Sequence, residues 1–171
     1  MRLHLMRHGI AMEREDSQCP AEAERPLTPE GLKKTGEVAR GMRKIGIEPD
    51  IVMSSPYLRA VQTAEIACAA LEMNAKELVR TEALLPSAKP AQLLEELARL
   101  GEQAKLKVNE ALCCGHAPNL DLVIAYALGS RVIITELKKA GVATLEIESF
   151  APPRAKLLAL YTPRALRKAG G

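Results

Sequence analysis

The period of the apolar positions changes several times along this chain, and each change predicts an element. Leu3, Leu5 and their neighbours form a short apolar run that predicts a first strand ending at Arg7-His8. Residues 12–25 are polar and aperiodic and predict a long loop, a length that compact domains often keep for function. Thr28-Pro29-Glu30 predicts a helix start, with Thr28 as N-cap, Pro29 in the first helical position, and a stripe of Leu32, Ala39, Met42 and Ile45. Asp50 to Ser54 predicts a second strand. Ser55-Pro56 then opens a second helix carrying Leu58, Val61, Ala64, Cys68 and Leu71. A weak third strand is expected around Leu78 to Leu84. A third helix should follow Pro90, with Leu93, Leu94, Leu97 and Leu100 apolar and Gly101 as its stop. Ala111 to Cys114 predicts a fourth strand, and Pro118 a helix that contains Leu120, Val123, Ile124 and Leu128 and closes at Gly129. Val142 to Ile147 and Ala155 to Tyr161 follow without an intervening helix and should pair antiparallel. The basic end, Arg164 to Gly171, is expected to fray.

Strand–helix alternation of this kind predicts an α/β three-layer sandwich, with a mostly parallel central sheet and one antiparallel edge strand. No repeat, linker or low-complexity tract interrupts it, so residues 1–171 are expected to form a single domain. Composition narrows the function classes. Apolar residues are 47% and aromatic ones only 2%, with no Trp, so aliphatic side chains must fill the core. That scarcity argues against nucleic-acid binding through stacking platforms. A net charge of +3, with basic and acidic residues interspersed, supplies no strong field for DNA or an anionic membrane. No stretch is long enough to span a bilayer, and Arg7 and His8 break the apolar run a signal peptide would need. The expectation is a cytoplasmic monomer that needs no disulfides.

The histidines and arginines sort by position. In open α/β sheets, ligands bind beyond the carboxyl ends of the strands. Arg7 and His8 follow strand one, Arg59 lies in the first turn of the helix after strand two, and His116 follows strand four just before a helix. Although far apart in sequence, all four are expected at one rim. Two guanidiniums, two imidazoles and nearby helix N-termini suit a tetrahedral dianion such as phosphate. His4 lies within the strand, out of phase with the rim, and reads as structural. Cys19 and Arg25 have the C-x₅-R spacing of cysteine-dependent phosphatases, but Pro20-Ala21-Glu22-Ala23-Glu24 between them lacks glycine and carries two carboxylates, which would repel phosphate. Cys113-Cys114-Gly115-His116 lacks further ligands at zinc spacing, and its cysteines read as small buried residues on a strand.

Three segments carry a resemblance: Leu5-Met6-Arg7-His8-Gly9, Ser54-Ser55-Pro56-Tyr57-Leu58-Arg59-Ala60-Val61-Gln62-Thr63-Ala64, and Gly115-His116-Ala117-Pro118-Asn119-Leu120. In this order and context they resemble the histidine phosphatase superfamily, which has the phosphoglycerate mutase-like fold. Arg25-Pro26-Leu27-Thr28, Leu137 to Val142 and Tyr161-Thr162-Pro163 resemble its short, SixA-like phosphohistidine phosphatases. The resemblance implies that neutral His8 attacks phosphorus and forms a phosphohistidine enzyme that water hydrolyses. Arg7, Arg59 and His116 would hold the phosphoryl oxygens, and Gly9 and Arg25 are candidates for binding substrate; Arg25 could equally be a surface charge. No metal or cofactor is implied. Mutase-like members place an acidic residue after the third strand, where this chain has only Glu82 within 81–90, read as an ordinary carboxylate. Imidazole leaves more readily than an alkoxide, so the gap favours a phosphohistidine protein as substrate. A small phosphate ester and a non-catalytic phosphate-binding module are the competing expectations.

Overall fold

The computed structural model describes residues 1–103 and 108–171. The first apolar run forms β1 (Arg2–Arg7), in which Leu3, Leu5 and Met6 are fully buried. There follow α1 (Pro29–Lys44), β2 (Ile51–Ser54), α2 (Leu58–Ala70), β3 (Val79–Arg80), α3 (Pro90–Gln103) and β4 (Glu110–Gly115). The chain continues through α4 (Asn119–Ala127), β5 (Val142–Phe150), β6 (Pro153–Tyr161) and α5 (Pro163–Gly170). Among the described residues, six strands form one sheet in the order β3-β2-β4-β1-β5-β6. β3, β2, β4 and β1 are parallel; β5 runs against β1 and pairs with β6 as an antiparallel hairpin at the edge.

Alternation along the strands divides the core between two faces. Leu3, Leu5, Ala111 and Cys113 pack on one side with Leu93, Leu94 and Leu97 of α3 and Leu120, Val123 and Ile124 of α4. Met6, Leu112 and Cys114 pack on the other with Val38 and Met42 of α1, Ala64 and Cys68 of α2 and Leu166 of α5. His4 is structural, as expected: its Nδ1 lies 2.9 Å from Thr144 Oγ1 and its Nε2 3.0 Å from Glu110 Oε1. Thr28 caps α1 by accepting from the Gly31 N–H, and Pro29 is in the first turn.

Several sequence expectations need correcting. The third strand is only Val79–Arg80, because the Thr81 hydroxyl accepts from Ala83 N–H and starts a 3₁₀ turn over Glu82–Leu84. In α1, Leu32 and Ile45 are 41% and 39% exposed; the buried face is Gly31, Thr35, Val38, Ala39, Gly41 and Met42. Leu58 is likewise exposed at the start of α2. α3 continues through Gly101 to Gln103. The largest correction is the basic end, which is helix α5 and not a frayed tail. Thr162 caps it by accepting from Ala165 N–H, Pro163 occupies its first turn, and Leu166 is buried against α1. Gly41 permits this contact: a Cβ there would lie 1.9 Å from the Leu166 carbonyl oxygen.

The packing of α5 is testable. Leu166→Ala should lower unfolding free energy by about 2–4 kcal/mol, the usual cost of truncating a buried leucine. Urea denaturation measures it, and a loss below about 0.5 kcal/mol would mean that α5 contributes as little as an exposed surface position.

Candidate active site

The register of β1 against β4 builds the site. Arg7 pairs with Gly115, and His8 N–H donates to the Gly115 carbonyl at 3.0 Å, so His8 and His116 leave adjacent strand ends side by side. Their ring centroids are 5.1 Å apart. β2 ends beside them, and the first turn of α2 brings in Arg59. Arg7, His8, Arg25, Arg59 and His116 line one cavity of about 320 Å³. The rim expected from the sequence is therefore assembled, and of the two readings of Arg25 the structure places it in the pocket.

The tautomer of His8 follows from its partners. Nδ1 is 2.7 Å from the Gly9 carbonyl, which can only accept, so Nδ1 carries the proton. Arg59 Nε, which can only donate, points to His8 Nε2 at 3.3 Å, so that nitrogen holds a lone pair. Gly9 thus acts through its carbonyl and is absent from the cavity lining. Its N–H is taken by Thr63 Oγ1 at 3.1 Å, and a Cβ at Gly9 would lie 2.2 Å from Thr35 Oγ1. Only glycine fits beneath the ring.

Each arginine is held by a fixed acceptor. Arg7 Nη1 donates to the Leu137 carbonyl at 2.7 Å, and Leu137 N–H donates to Asp121 Oδ1 of α4 at 2.8 Å. Arg25 Nη1 donates to the Met12 carbonyl at 3.0 Å. Arg59, almost fully buried, donates from Nη1 to the Glu22 carbonyl and from Nη2 to Glu22 Oε1, both at 2.7 Å. Glu22 also accepts from Arg25 and doubly from Arg14. Burial opposes its ionisation, but the Arg14 hydrogen bonds and the charges of Arg59, Arg25 and Arg14 outweigh it and hold the carboxyl below its usual range. The loop over residues 12–25 is therefore fastened to the pocket by the carboxylate that the sequence reading took as repelling phosphate.

Three more residues were given no role from the sequence although all of them stand inside the quoted segments. Ser55 Oγ lies 2.8 Å from His116 Nε2, and Tyr57 sits edge-on to His116 while its ring lies under the Arg59 guanidinium. Lys139 also lines the cavity. Two expected non-participants are where the sequence put them: Glu82 is exposed and Cys19 is absent from the lining. Cys113 and Cys114 are buried strand residues whose thiols burial pushes up.

The chemical capacity of the cavity shows in what is left unpaired. Arg7 Nε, Arg25 Nε and His116 Nδ1 are buried and, among the described residues, have no hydrogen-bond partner. Buried polar atoms are rarely orphaned. With these atoms and three guanidiniums around one imidazole lone pair, the arrangement can hold a tetrahedral anion and present a neutral nitrogen to its central atom. Burial first, then the nearby arginines, push His8 down to about 3 against the single opposing hydrogen bond to Gly9; burial and the charges of the same arginines push His116 down to about 2.

Comparison with known proteins fits this geometry. Residues 3–84 match the family described as the histidine phosphatase superfamily (branch 1). An uncharacterized protein of Picosynechococcus sp. is 35% identical over 146 residues, 85% of this chain and 84% of that protein. The structure of the protein histidine phosphatase SixA complexed with tungstate superposes with a TM-score of 0.84 at 21% identity, over 97% of this chain and 99% of that one. A mutant phosphoserine phosphatase from Entamoeba histolytica in complex with phosphoserine superposes with a TM-score of 0.71 at 17% identity, over 96% and 98% of the two chains.

Neutral imidazoles give a pH prediction. In phosphate-free buffer the ring NMR signals of His8 and His116 should not titrate between about pH 7.5 and 5, where a free imidazole passes its midpoint near 6.5. Titration of either ring at that ordinary midpoint would contradict the burial argument. The unfolded chain binds these protons and the folded chain does not, so stability should fall as pH drops below about 6.5. Urea midpoints across that range check the sign.

Proposed function

This chain belongs to the histidine phosphatase superfamily, and from that premise we propose that it removes phosphoryl groups from phosphohistidine on proteins through His8. The observation that carries the proposal is the lone pair on His8 Nε2, fixed by Gly9 and set among the unpaired donors Arg7 Nε and Arg25 Nε and the unpaired His116 Nδ1. Nε2 attacks phosphorus, the P–N bond to the substrate imidazole breaks, and that imidazole takes its proton from solvent. Water then attacks phospho-His8, releasing inorganic phosphate and restoring the neutral ring. Arg7, Arg25 and Arg59 hold the oxygens while charge shifts onto the leaving nitrogen.

The leaving group distinguishes this reading from its alternative. An alkoxide needs a general acid, worth roughly 10²–10⁴-fold. Glu82 lies outside the cavity and cannot reach the leaving group, and Glu22, bound to three arginines and held ionised, has no proton to give. An imidazole leaves without one. A small phosphate ester is the second reading, favoured by Glu13 and Glu15 in the cavity lining, with Glu13 lying 3.6 Å from Lys139.

A substrate panel tests this. Phosphohistidine and phosphoramidate should turn over faster than alkyl phosphates; a sugar phosphate that wins by a wide margin would refute the reading. Arg59→Ala should lower the rate by on the order of 10²–10³, as removal of a transition-state donor does. Glu82→Gln should leave all rates unchanged. Loss of alkyl-ester turnover alone in Glu13→Gln or Glu15→Gln would favour the ester reading. Acid-labile phosphate should be trapped on the wild type and not on His8→Ala.

A further inference from the structure

A second cavity, of about 450 Å³, lies beside the anion pocket and shares Lys139 with it. Ile10 lines this cavity and the next residue, Ala11, lines the pocket, so the two cavities meet across adjacent residues of the chain. Val38 of α1, Ala140 and Pro163 of α5 extend the apolar floor begun by Ile10. The rim is cationic: Lys34, Lys138, Lys139, Arg164 and Arg167 line it, and no carboxylate does. Two segments that the sequence singled out, Leu137 to Val142 and Tyr161-Thr162-Pro163, supply five of its lining residues, Lys138, Lys139, Ala140, Thr162 and Pro163.

The cations of the rim are weakly committed. Lys138 meets Glu136 at 3.4 Å, Lys139 meets Glu13 at 3.6 Å and Arg167 meets Glu37 at 3.7 Å, all solvent-accessible pairs. Arg164 makes no ion pair among the described residues. Lys34 pairs closely with Glu30, but both side chains are largely in solvent. Exposed pairs of this kind contribute about 0–1 kcal/mol, so their cations can exchange partners at little cost.

We infer that this groove docks an acidic segment of the phosphoprotein next to its phosphohistidine, with an apolar side chain on the Ile10–Val38 floor and carboxylates over Lys138 and Arg164. The inference rests on the proposed protein substrate. Charge complementarity selects the occupant, because an all-cationic rim repels basic segments and gains little from neutral ones. Continuity through Lys139 sets its register: a segment filling the groove lies one side chain from the pocket that takes the phosphoryl group. The three arginines recognise the phosphoryl group, and the groove recognises what carries it.

Two synthetic phosphohistidine peptides of equal length test this, one flanked by Asp and Glu and the other by Asn and Gln. For the wild type, the acidic peptide should have a kcat/KM about tenfold above the neutral one, and the advantage should shrink at about 0.5 M salt. Lys138→Glu combined with Arg164→Glu should abolish or invert the preference while phosphoramidate turnover is unchanged. Should that variant lose phosphoramidate turnover, Lys138→Gln with Arg164→Gln replaces it, and the same loss of preference is expected. Equal rates for the two peptides, or a preference that survives charge removal, would overturn the inference and leave the proposed chemistry standing. If phosphoramidate and both peptides are poorer substrates than alkyl phosphates, the proposed function itself fails, and the docking inference with it.

Discussion

The site depends on one register. Pairing Arg7 with Gly115 across β1 and β4 fixes where two imidazoles leave the sheet, and the parallel direction of both strands puts them at the same end. A slip of one residue would turn His8 onto the opposite face and move Leu3 and Leu5 out of the core they share with α3 and α4. The same hydrophobic burial that holds the sheet together therefore holds the two rings about 5 Å apart. The position of the two rings is a by-product of packing, while the arginines around them are held by loop acceptors.

Electrostatics builds on that placement. An imidazole surrounded by guanidiniums and removed from water resists taking a second proton, so His8 keeps its lone pair where a solvent-exposed histidine would begin to lose it in mild acid. The arginines need the reverse treatment, since buried guanidiniums require anions. In the resting chain Glu22 provides that anion for Arg59, Arg25 and Arg14 together. The loop over residues 12–25 is thus ordered by charge and not by packing.

Much of this was legible in the sequence because strand ends and helix starts are local signals. The Leu3–Arg7 run, Thr28-Pro29 and Pro118 located the elements, and the rim rule then gathered Arg7, His8, Arg59 and His116. What escaped depended on contacts between distant segments. Glu22 has no local signal that distinguishes it from Glu24, and its role exists only once Arg59 is folded beside it. Gly41 adds nothing to an apolar count, yet its missing side chain sets the buried face of α1 and admits α5. Thr162-Pro163 is the same start signal as Thr28-Pro29 and could have been read; the basic residues after it masked a helix whose apolar face is a single leucine.

The carboxylate bridge from Glu22 to Arg59 has a consequence for the lifetime of anything bound in the pocket. Each terminal nitrogen of Arg59 already gives one N–H to Glu22, Nη2 to its carboxylate, so an oxyanion that engages Arg59 meets a guanidinium whose charge is partly neutralised. The gain is a difference and not a full interaction. A tetrahedral anion therefore gains less from Arg59 than it would from an unpaired guanidinium. The same bridge that holds Arg59 in place loosens its grip on a departing anion.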